Sequence, residues 1–431
     1  MSAVLEVASD EVLAPVSGAV RTIKIGLIGL GQVGQAVARL APEAVRLREV
    51  GLKFRVAGAL VRDVEKPRRC VRPPRMTNNP SAFLRGNYDV VIEALGTIDP
   101  ARTIVSRFLG RGIPVVTANK ALVAAHGPEL VALAARRGTT LRYEASALAG
   151  VPFLGALAAR PLVSDVQHFT AVVNGTSNFI LSKLDAEQCA FDDALAQAKA
   201  LGLTEPDPSR DLDGLDAADK LSLLSAIFGW GTLAPSRVET HGIRDVTSQD
   251  VAIARTLGTI IKPVAHASIS PAGISAFIGP TLVPLRHPLA ALSGTLSGIQ
   301  LSGRFVSDLF FSGPGAGPDI TAATILDDAV EAVSTAPRAP RATTRTFRAV
   351  PVAAAPATGW LVRVRFPGIA PDAETAGQIF ARHHLRALQV VDGDGGTRYV
   401  RVAPCTRDEV DRAIAGIQTT HRVQCAAFRA L

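Results

Sequence analysis

Residues 22–34 read Thr22-Ile23-Lys24-Ile25-Gly26-Leu27-Ile28-Gly29-Leu30-Gly31-Gln32-Val33-Gly34. The first part has the apolar, β-branched make-up of a buried strand, and the glycines that follow lead into an Ala/Val/Leu stretch of helical period ending near Leu47. Strand, glycine turn and helix in that order form a dinucleotide-binding unit. Gly29 permits the tight turn, Gly31 lets the backbone approach a pyrophosphate, and Gly34 allows close packing of the helix. A bare G-x-G-x-x-G is weak; its place between a strand and a helix is what gives it weight.

Outward from this unit, apolar runs recur at 54–61, 88–95, 113–118 and 140–144, with helical patterns between them. That alternation predicts a Rossmann-type, doubly wound parallel sheet over 22–150, preceded by a loose tail at 1–21. The second run ends Val61-Arg62-Asp63, with Lys66 close behind. Arg62 and Lys66 suit a ribose 2′-phosphate and favour NADP, while Asp63 keeps NAD open.

After Gly150 the pattern changes to a mixed α/β section spanning 151–335, with a strand at 166–173, a helix at 191–202 closed by a glycine, and further strands within 263–312. The helix after Gly313-Pro314-Gly315-Ala316-Gly317 could carry the chain back to the nucleotide-binding part. Residues 336–358, rich in Ala, Pro, Arg and Thr, read as an extended linker. Beyond it, 359–431 alternates as βαββαβ, a small ferredoxin-like fold.

Composition narrows the function. The net charge is +8, but the arginines are scattered and lack interleaved aromatics, which argues against a nucleic-acid partner. No apolar run is long enough to span a bilayer, and the N-terminus has neither a secretory nor a transit pattern. Cys70, Cys189, Cys405 and Cys425 form no metal or disulfide spacing, which fits a reducing cytoplasm.

Two regions concentrate chemistry. Lys120, in Val115-Val116-Thr117-Ala118-Asn119-Lys120, falls at the carboxyl end of a predicted parallel strand, where open α/β sheets place ligands. From Glu205 to Lys220 an acidic, proline-stiffened loop runs into a helix, and Asp216 and Lys220, four residues apart, share one face of it. Carboxylates beside a lysine suit a substrate with an ammonium group: Glu205 or Asp211 pairs its charge while Lys220 handles a proton. On spacing alone an ordinary surface pair explains Asp216 and Lys220 as well. Asn174-Gly175-Thr176 has the form of a glycosylation acceptor but reads better, in a cytosolic chain, as a backbone-rich loop against substrate.

In order along 22–333, these segments resemble the homoserine dehydrogenase family. The resemblance rests on Gly-Leu-Gly-Gln-Val-Gly (29–34), Val-Val-Thr-Ala-Asn-Lys-Ala-Leu (115–122), Tyr-Glu-Ala-Ser (143–146), Val-Asn-Gly-Thr-Ser-Asn-Phe-Ile-Leu (173–181), the 205–220 block and Gly-Pro-Gly-Ala-Gly (313–317). It implies NAD(P)-dependent interconversion of L-homoserine and L-aspartate 4-semialdehyde in threonine and methionine biosynthesis. It implies that Lys220 is the catalytic acid/base, that Lys120 lies near nicotinamide and substrate, and that Glu205, Asp211, Asp216, Gly175 and Thr176 contact homoserine. The implied cofactor set is Gly29, Gly31, Val33, Gly34, Arg62, Lys66, Thr97, Lys120 and Gly315. A sodium-type monovalent cation is implied at Glu144 and at the main-chain carbonyls of Ala147, Ala149 and Val151. A homodimer or higher homo-oligomer, built through the middle section, is implied as well.

The chain departs from the family pattern at Ser146-Ala147-Leu148-Ala149-Gly150, which is less glycine-rich, and at Gly202-Leu203-Thr204. The C-terminal part resembles an ACT domain, an amino-acid-sensing module, which implies an amino-acid effector there, but its effector loop is reduced to Phe366-Pro367-Gly368-Ile369, which argues against threonine as that effector. Two other functions compete: a catalytically silent NAD(P)-binding sensor, and a dehydrogenase of another small amino-acid aldehyde.

Overall fold

The computed structural model describes residues 20–44, 50–68, 73–158, 160, 165–334 and 350–431; the expected tail, most of the linker and the end of the first helix lie outside them. Ile23, Ile25 and Leu27 point to one side of β1 (Arg21–Ile28) and Ile28 to the other, and all four are fully buried. A strand buried on both faces needs layers above and below it, as parallel sheets have. Five more strands complete the layer: β2 (Leu52–Leu60), β3 (Met76–Thr77), β4 (Val90–Glu93), β5 (Val115–Thr117) and β6 (Leu141–Arg142). Their order is β3-β2-β1-β4-β5-β6, every pair parallel. The winding reverses between β1 and β4, which opens a crevice at the carboxyl ends of the strands. β3 was not expected, because a strand of two residues carries no readable period.

The helix Pro318–Ser334 packs on the helix Gln32–Leu40 and on β4 and β5, with Ala322, Ile325, Leu326, Ala329 and Ala332 buried. The outgoing and returning chains touch where they cross: Gly150 N–H donates to the Pro314 carbonyl at 3.1 Å. A Cβ at Gly150 would lie 2.5 Å from that oxygen, and one at Gly313 would lie 2.5 Å from the Gly150 carbonyl.

The second sheet is built on a long antiparallel hairpin, β9 (Thr259–Ser270) and β10 (Gly273–Pro284). Against β9 lies β7 (Val166–Val172), then β11 (Leu296–Gly303) and β12 (Val306–Pro314), all antiparallel. The other edge of β10 is shared. Residues 351–353 bridge at Ile274, β8 (Glu239–Thr240) pairs at Phe277 and Ile278, and β16 (Gln424–Ala430) pairs at Thr281 and Leu282.

β16 belongs to the C-terminal unit, which continues with β13 (Thr358–Arg365), β15 (Thr397–Cys405) and β14 (Ala387–Asp392) in the order β16-β13-β15-β14. The expected βαββαβ order of elements is therefore present, but its sheet is continuous with the catalytic one. Alternation along a strand reports which face is buried and says nothing of which edge is bonded, so this junction was not readable.

Two buried ion pairs fasten the junction. Arg429 donates to both oxygens of Glu239, at 2.8 and 3.0 Å, and its guanidinium lies between the rings of Phe277 and Trp360. Asp250, fully buried, accepts from Arg363 and, at 2.8 Å, from the Tyr399 hydroxyl, and it closes the capping box of the helix Ser248–Thr256 with Thr247. Asp250→Ala removes the buried carboxylate that pairs Arg363 and accepts from Tyr399, and should cost about 3 kcal/mol or more. Urea unfolding with an unchanged midpoint would refute this.

Candidate active site

Each fingerprint glycine has a separate job. Gly29 has φ +92°, and a Cβ there would come within 2.7 Å of the Ala94 carbonyl. A Cβ on Gly34 would lie 2.2 Å from the Gly29 carbonyl, so the helix sits against the turn. Gly31 faces open space, with nothing within 4 Å of its missing Cβ. No side chain caps the helix Gln32–Leu40, so its first N–H groups are left for an anion. The turn therefore fits a dinucleotide pyrophosphate, with Val33 half-buried in the first turn of that helix. At the end of β2, Arg62 and Lys66 are exposed and make no side-chain hydrogen bond or ion pair among the described residues. Asp63 is occupied, its carboxylate accepting from the N–H groups of Glu65 and Lys66 at 2.9 and 3.2 Å.

At the same carboxyl edge, buried Glu93 ties three loops together. It accepts from Leu95 N–H at 2.7 Å, from the Thr117 hydroxyl at 2.5 Å and from the Asn119 amide at 3.3 Å. Burial raises its pKa, and those three donors oppose the rise. Asn119 also donates to the Thr97 carbonyl at 2.7 Å and caps the helix Lys120–Arg136 through Leu122 N–H. Lys120, the first residue of that helix, is thereby aimed across the crevice.

Its amine meets Asp216. The helix Leu215–Ile227 packs on the helix Lys120–Arg136, and the Asp216 carboxylate bridges the two lysines, Oδ1 at 2.5 Å from Lys120 Nζ and Oδ2 at 3.0 Å from Lys220 Nζ. Lys220 also donates to the Val173 carbonyl at 2.6 Å. Burial lowers the Lys220 pKa below the lysine range, Asp216 pulls it up, and Lys120 adds to the lowering. For Asp216 burial pushes upward, but the two ammonium groups outweigh it and hold the carboxyl well below its ordinary range. Asp211 stands beside them, raised by burial and by the Asp216 charge, with the Asn174 amide opposing.

Lys120, Asp211, Asp216 and Lys220 thus converge; Glu205 does not join them. Its side chain is exposed, with no hydrogen bond or ion pair among the described residues, because it lies in the proline-rich loop ahead of the helix Ser209–Leu212. Thr176 donates its hydroxyl to the Leu203 carbonyl at 2.7 Å, a tie to that loop, and Gly175 packs against the Thr295 carbonyl. Thr97 is exposed at the crevice rim. Gly315 is buried, and a Cβ there would lie 2.0 Å from the Ser297 hydroxyl, so the close approach is to β11.

Glu144 spans a different loop: its carboxylate accepts from the N–H groups of Phe153, Leu154 and Gly155 at 2.9, 2.8 and 2.6 Å. The Ala149 carbonyl accepts from Thr324, and that of Val151 from Phe153 N–H. Among the described residues no group of three or more His, Cys, Asp or Glu side chains is placed to hold a metal ion.

Residues 29–144 match the family model described as the NAD binding domain of homoserine dehydrogenase, and 152–330 match the homoserine dehydrogenase model itself. A homoserine dehydrogenase of Corynebacterium glutamicum is 36% identical over 327 residues, 74% of this chain and 73% of that one. The chain belongs to the homoserine dehydrogenase family. One of Synechocystis is 33% identical over 318 residues, 72% of this chain and 73% of its own length. Among solved structures, the homoserine dehydrogenase of Thiobacillus denitrificans superposes with a TM-score of 0.83 at 30% identity, covering 96% of this chain and 99% of that one. A hyperthermophilic archaeal homoserine dehydrogenase in complex with NADPH superposes at 0.59 and 25% identity, over 74% of this chain and all (100%) of that one.

As a homoserine dehydrogenase family member, the chain is an oxidoreductase acting on a CH–OH group with a nicotinamide cofactor. The silent-sensor reading is not favoured by these relatives. No helix among the described residues is long and apolar enough to cross a membrane.

The 174–176 loop is expected against substrate, but the capping and bonding role of Asn174 and the Glu93, Thr117 and Asn119 network are not read from spacing. An Asn ahead of a helical run is an N-cap signal, and that signal was present at both Asn119 and Asn174. The two glycines separate binding from folding. Gly31→Ala should keep the fold and weaken NADP(H) binding at least roughly tenfold, read by fluorescence titration. Gly34→Ala overpacks the turn and should lower stability by about 1–3 kcal/mol. Equal effects of the two variants on melting temperature would contradict the assignment.

Proposed function

We propose that Lys220 is the proton carrier in the NADP-linked interconversion of L-homoserine and L-aspartate 4-semialdehyde. One arrangement supports it: a largely buried carboxylate, Asp216, joins a lysine of the nucleotide-binding part to a lysine of the catalytic sheet's helix layer. A bound nicotinamide would supply or accept hydride at the substrate carbon. In reduction, charged Lys220 gives its proton to the developing alkoxide; in oxidation, neutral Lys220 takes the proton of the hydroxyl. Burial favours the neutral form and Asp216 restores the charged one, so the amine can serve both directions. Asp211 is the anionic partner for the substrate ammonium. Glu205 would need its loop to close to join it. Lys120 holds Asp216 and faces the crevice where the two ligands meet.

The preference for NADP rests on Arg62 and Lys66, whose side chains are uncommitted while Asp63 is absorbed by its own turn. A monovalent cation would be held by Glu144 and by the carbonyls of Ala147, Ala149 and Val151. Its support is a donor set of main-chain oxygens and one carboxylate, which suits a hard, singly charged ion better than a transition metal. The reading also includes an ACT-like C-terminal unit, a homodimer and a reducing cytoplasm, the last supported by unpaired Cys189, Cys405 and Cys425.

Lys220→Ala should lower kcat in both directions by on the order of 10² or more with little loss of NADP affinity. In the unaltered protein homoserine oxidation should rise with pH as Lys220 loses its proton, in a limb below the ordinary lysine range, and that limb should vanish in the variant. Undiminished turnover would remove Lys220 from the mechanism. Arg62→Ala should raise the KM for NADP by about 10–100-fold and leave that for NAD nearly unchanged; equal losses for both cofactors would end the 2′-phosphate assignment.

A further inference from the structure

We infer that Asn174 is a positioning residue that sets how firmly Asp216 holds the proton of Lys220. Asn174 joins β7 to the helix Gly175–Glu187 and is buried. Its carbonyl oxygen accepts from Ser177 N–H at 2.8 Å, which caps the helix and fixes which way the amide faces. The amide nitrogen is thereby aimed at two carboxylates, donating to Asp211 Oδ1 at 2.7 Å and to Asp216 Oδ2 at 3.1 Å. Asp216 Oδ2 is also the oxygen that pairs with Lys220, at 3.0 Å. Two donors therefore compete for one oxygen at nearly equal distance.

A neutral donor on a carboxylate oxygen stabilises its charge without adding any, and so weakens its pull on a neighbouring ammonium. Asn174 has a second effect on the same pair. Asp211 and Asp216 carry like charges, and one amide group bonded to both keeps them together where they would otherwise separate or share a proton. The preceding residue completes the arrangement, since the Val173 carbonyl accepts from Lys220. The charged groups facing that amine are Asp216 on its own helix, Lys120 from the helix Lys120–Arg136 and Asp211 from the helix Ser209–Leu212. Asn174 touches both acids of the set. Without its donation Asp216 would bind Lys220 more tightly, and oxidation would need a higher pH to free the amine.

This rests on Lys220 as the proton carrier, and the test separates the two ideas. Asn174→Ser and Asn174→Asp both retain an oxygen that can cap Ser177 N–H, and neither retains the amide donor. Initial rates of homoserine oxidation at saturating NADP, measured across pH, should show the Lys220 limb moved up by roughly half a unit or more, further in Asn174→Asp, with KM for NADP unchanged. A residue that only caps the helix would lower activity equally at every pH and leave the limb in place, which would overturn the proposal. Loss of the fold in both variants would also overturn it, by showing that the amide's donations to Asp211 and Asp216 hold the structure and do not tune the proton. If a limb seen in the unaltered protein survives in Lys220→Ala, the Lys220 reading fails. If it vanishes there and stays put in the Asn174 variants, only the present inference fails.

Discussion

The carboxylate of Asp216, held between two ammonium groups, is the constraint on which the site depends. Lys220 is largely buried and Lys120 partly exposed, and two ammonium groups so close would repel each other, while a buried unpaired charge is costly. Asp216 and Asp211 bring the formal charge of the four groups to zero when both lysines are protonated. When Lys220 is neutral the set carries one negative charge, which matches the ammonium of an amino-acid substrate. The protonation state needed for oxidation is thus the one that best receives the alcohol.

Topology makes this meeting of charges possible. Lys120 comes from the carboxyl end of β5, positioned by the buried Glu93 network, and Asp216 and Lys220 come from a helix packed beneath the second sheet. The returning helix Pro318–Ser334 then covers the nucleotide-binding sheet on the face where Gln32–Leu40 lies. Each side of the crevice is therefore built on its own sheet, and the Lys120–Asp216 ion pair spans the gap between them. On the far side, β10 shares its edge with three separate segments and draws the C-terminal unit into the same hydrogen-bonded layer.

Much of this was legible in the chain. Ile23 to Gly34 fixed the first strand and turn because period, glycine placement and helix onset agreed with one another. Asp216 and Lys220 were legible as a pair because four residues is one helical turn. What stayed hidden involved partners distant in sequence. Lys120 lies 96 residues from Asp216, and no local pattern announces that contact. Glu205 is close to the acidic site in sequence, but its exposed side chain lies apart from Asp211 and Asp216, a separation that local spacing does not report. The fusion of β16 to β10 was unreadable for another reason: strand edges bond through backbone atoms, which are alike in every residue.

The glycine crossing at 150 and 313 bears on how the two parts are held together. The nucleotide-binding part is assembled from segments that precede and follow the strands β7 to β12, so the chain leaves it and later returns to it. The outgoing and returning passages lie against each other at Gly150, Gly313 and Pro314, and neither glycine has room for a side chain. A side chain at either glycine would therefore push the two passages apart and shift the cofactor lobe, with Lys120, relative to Asp216.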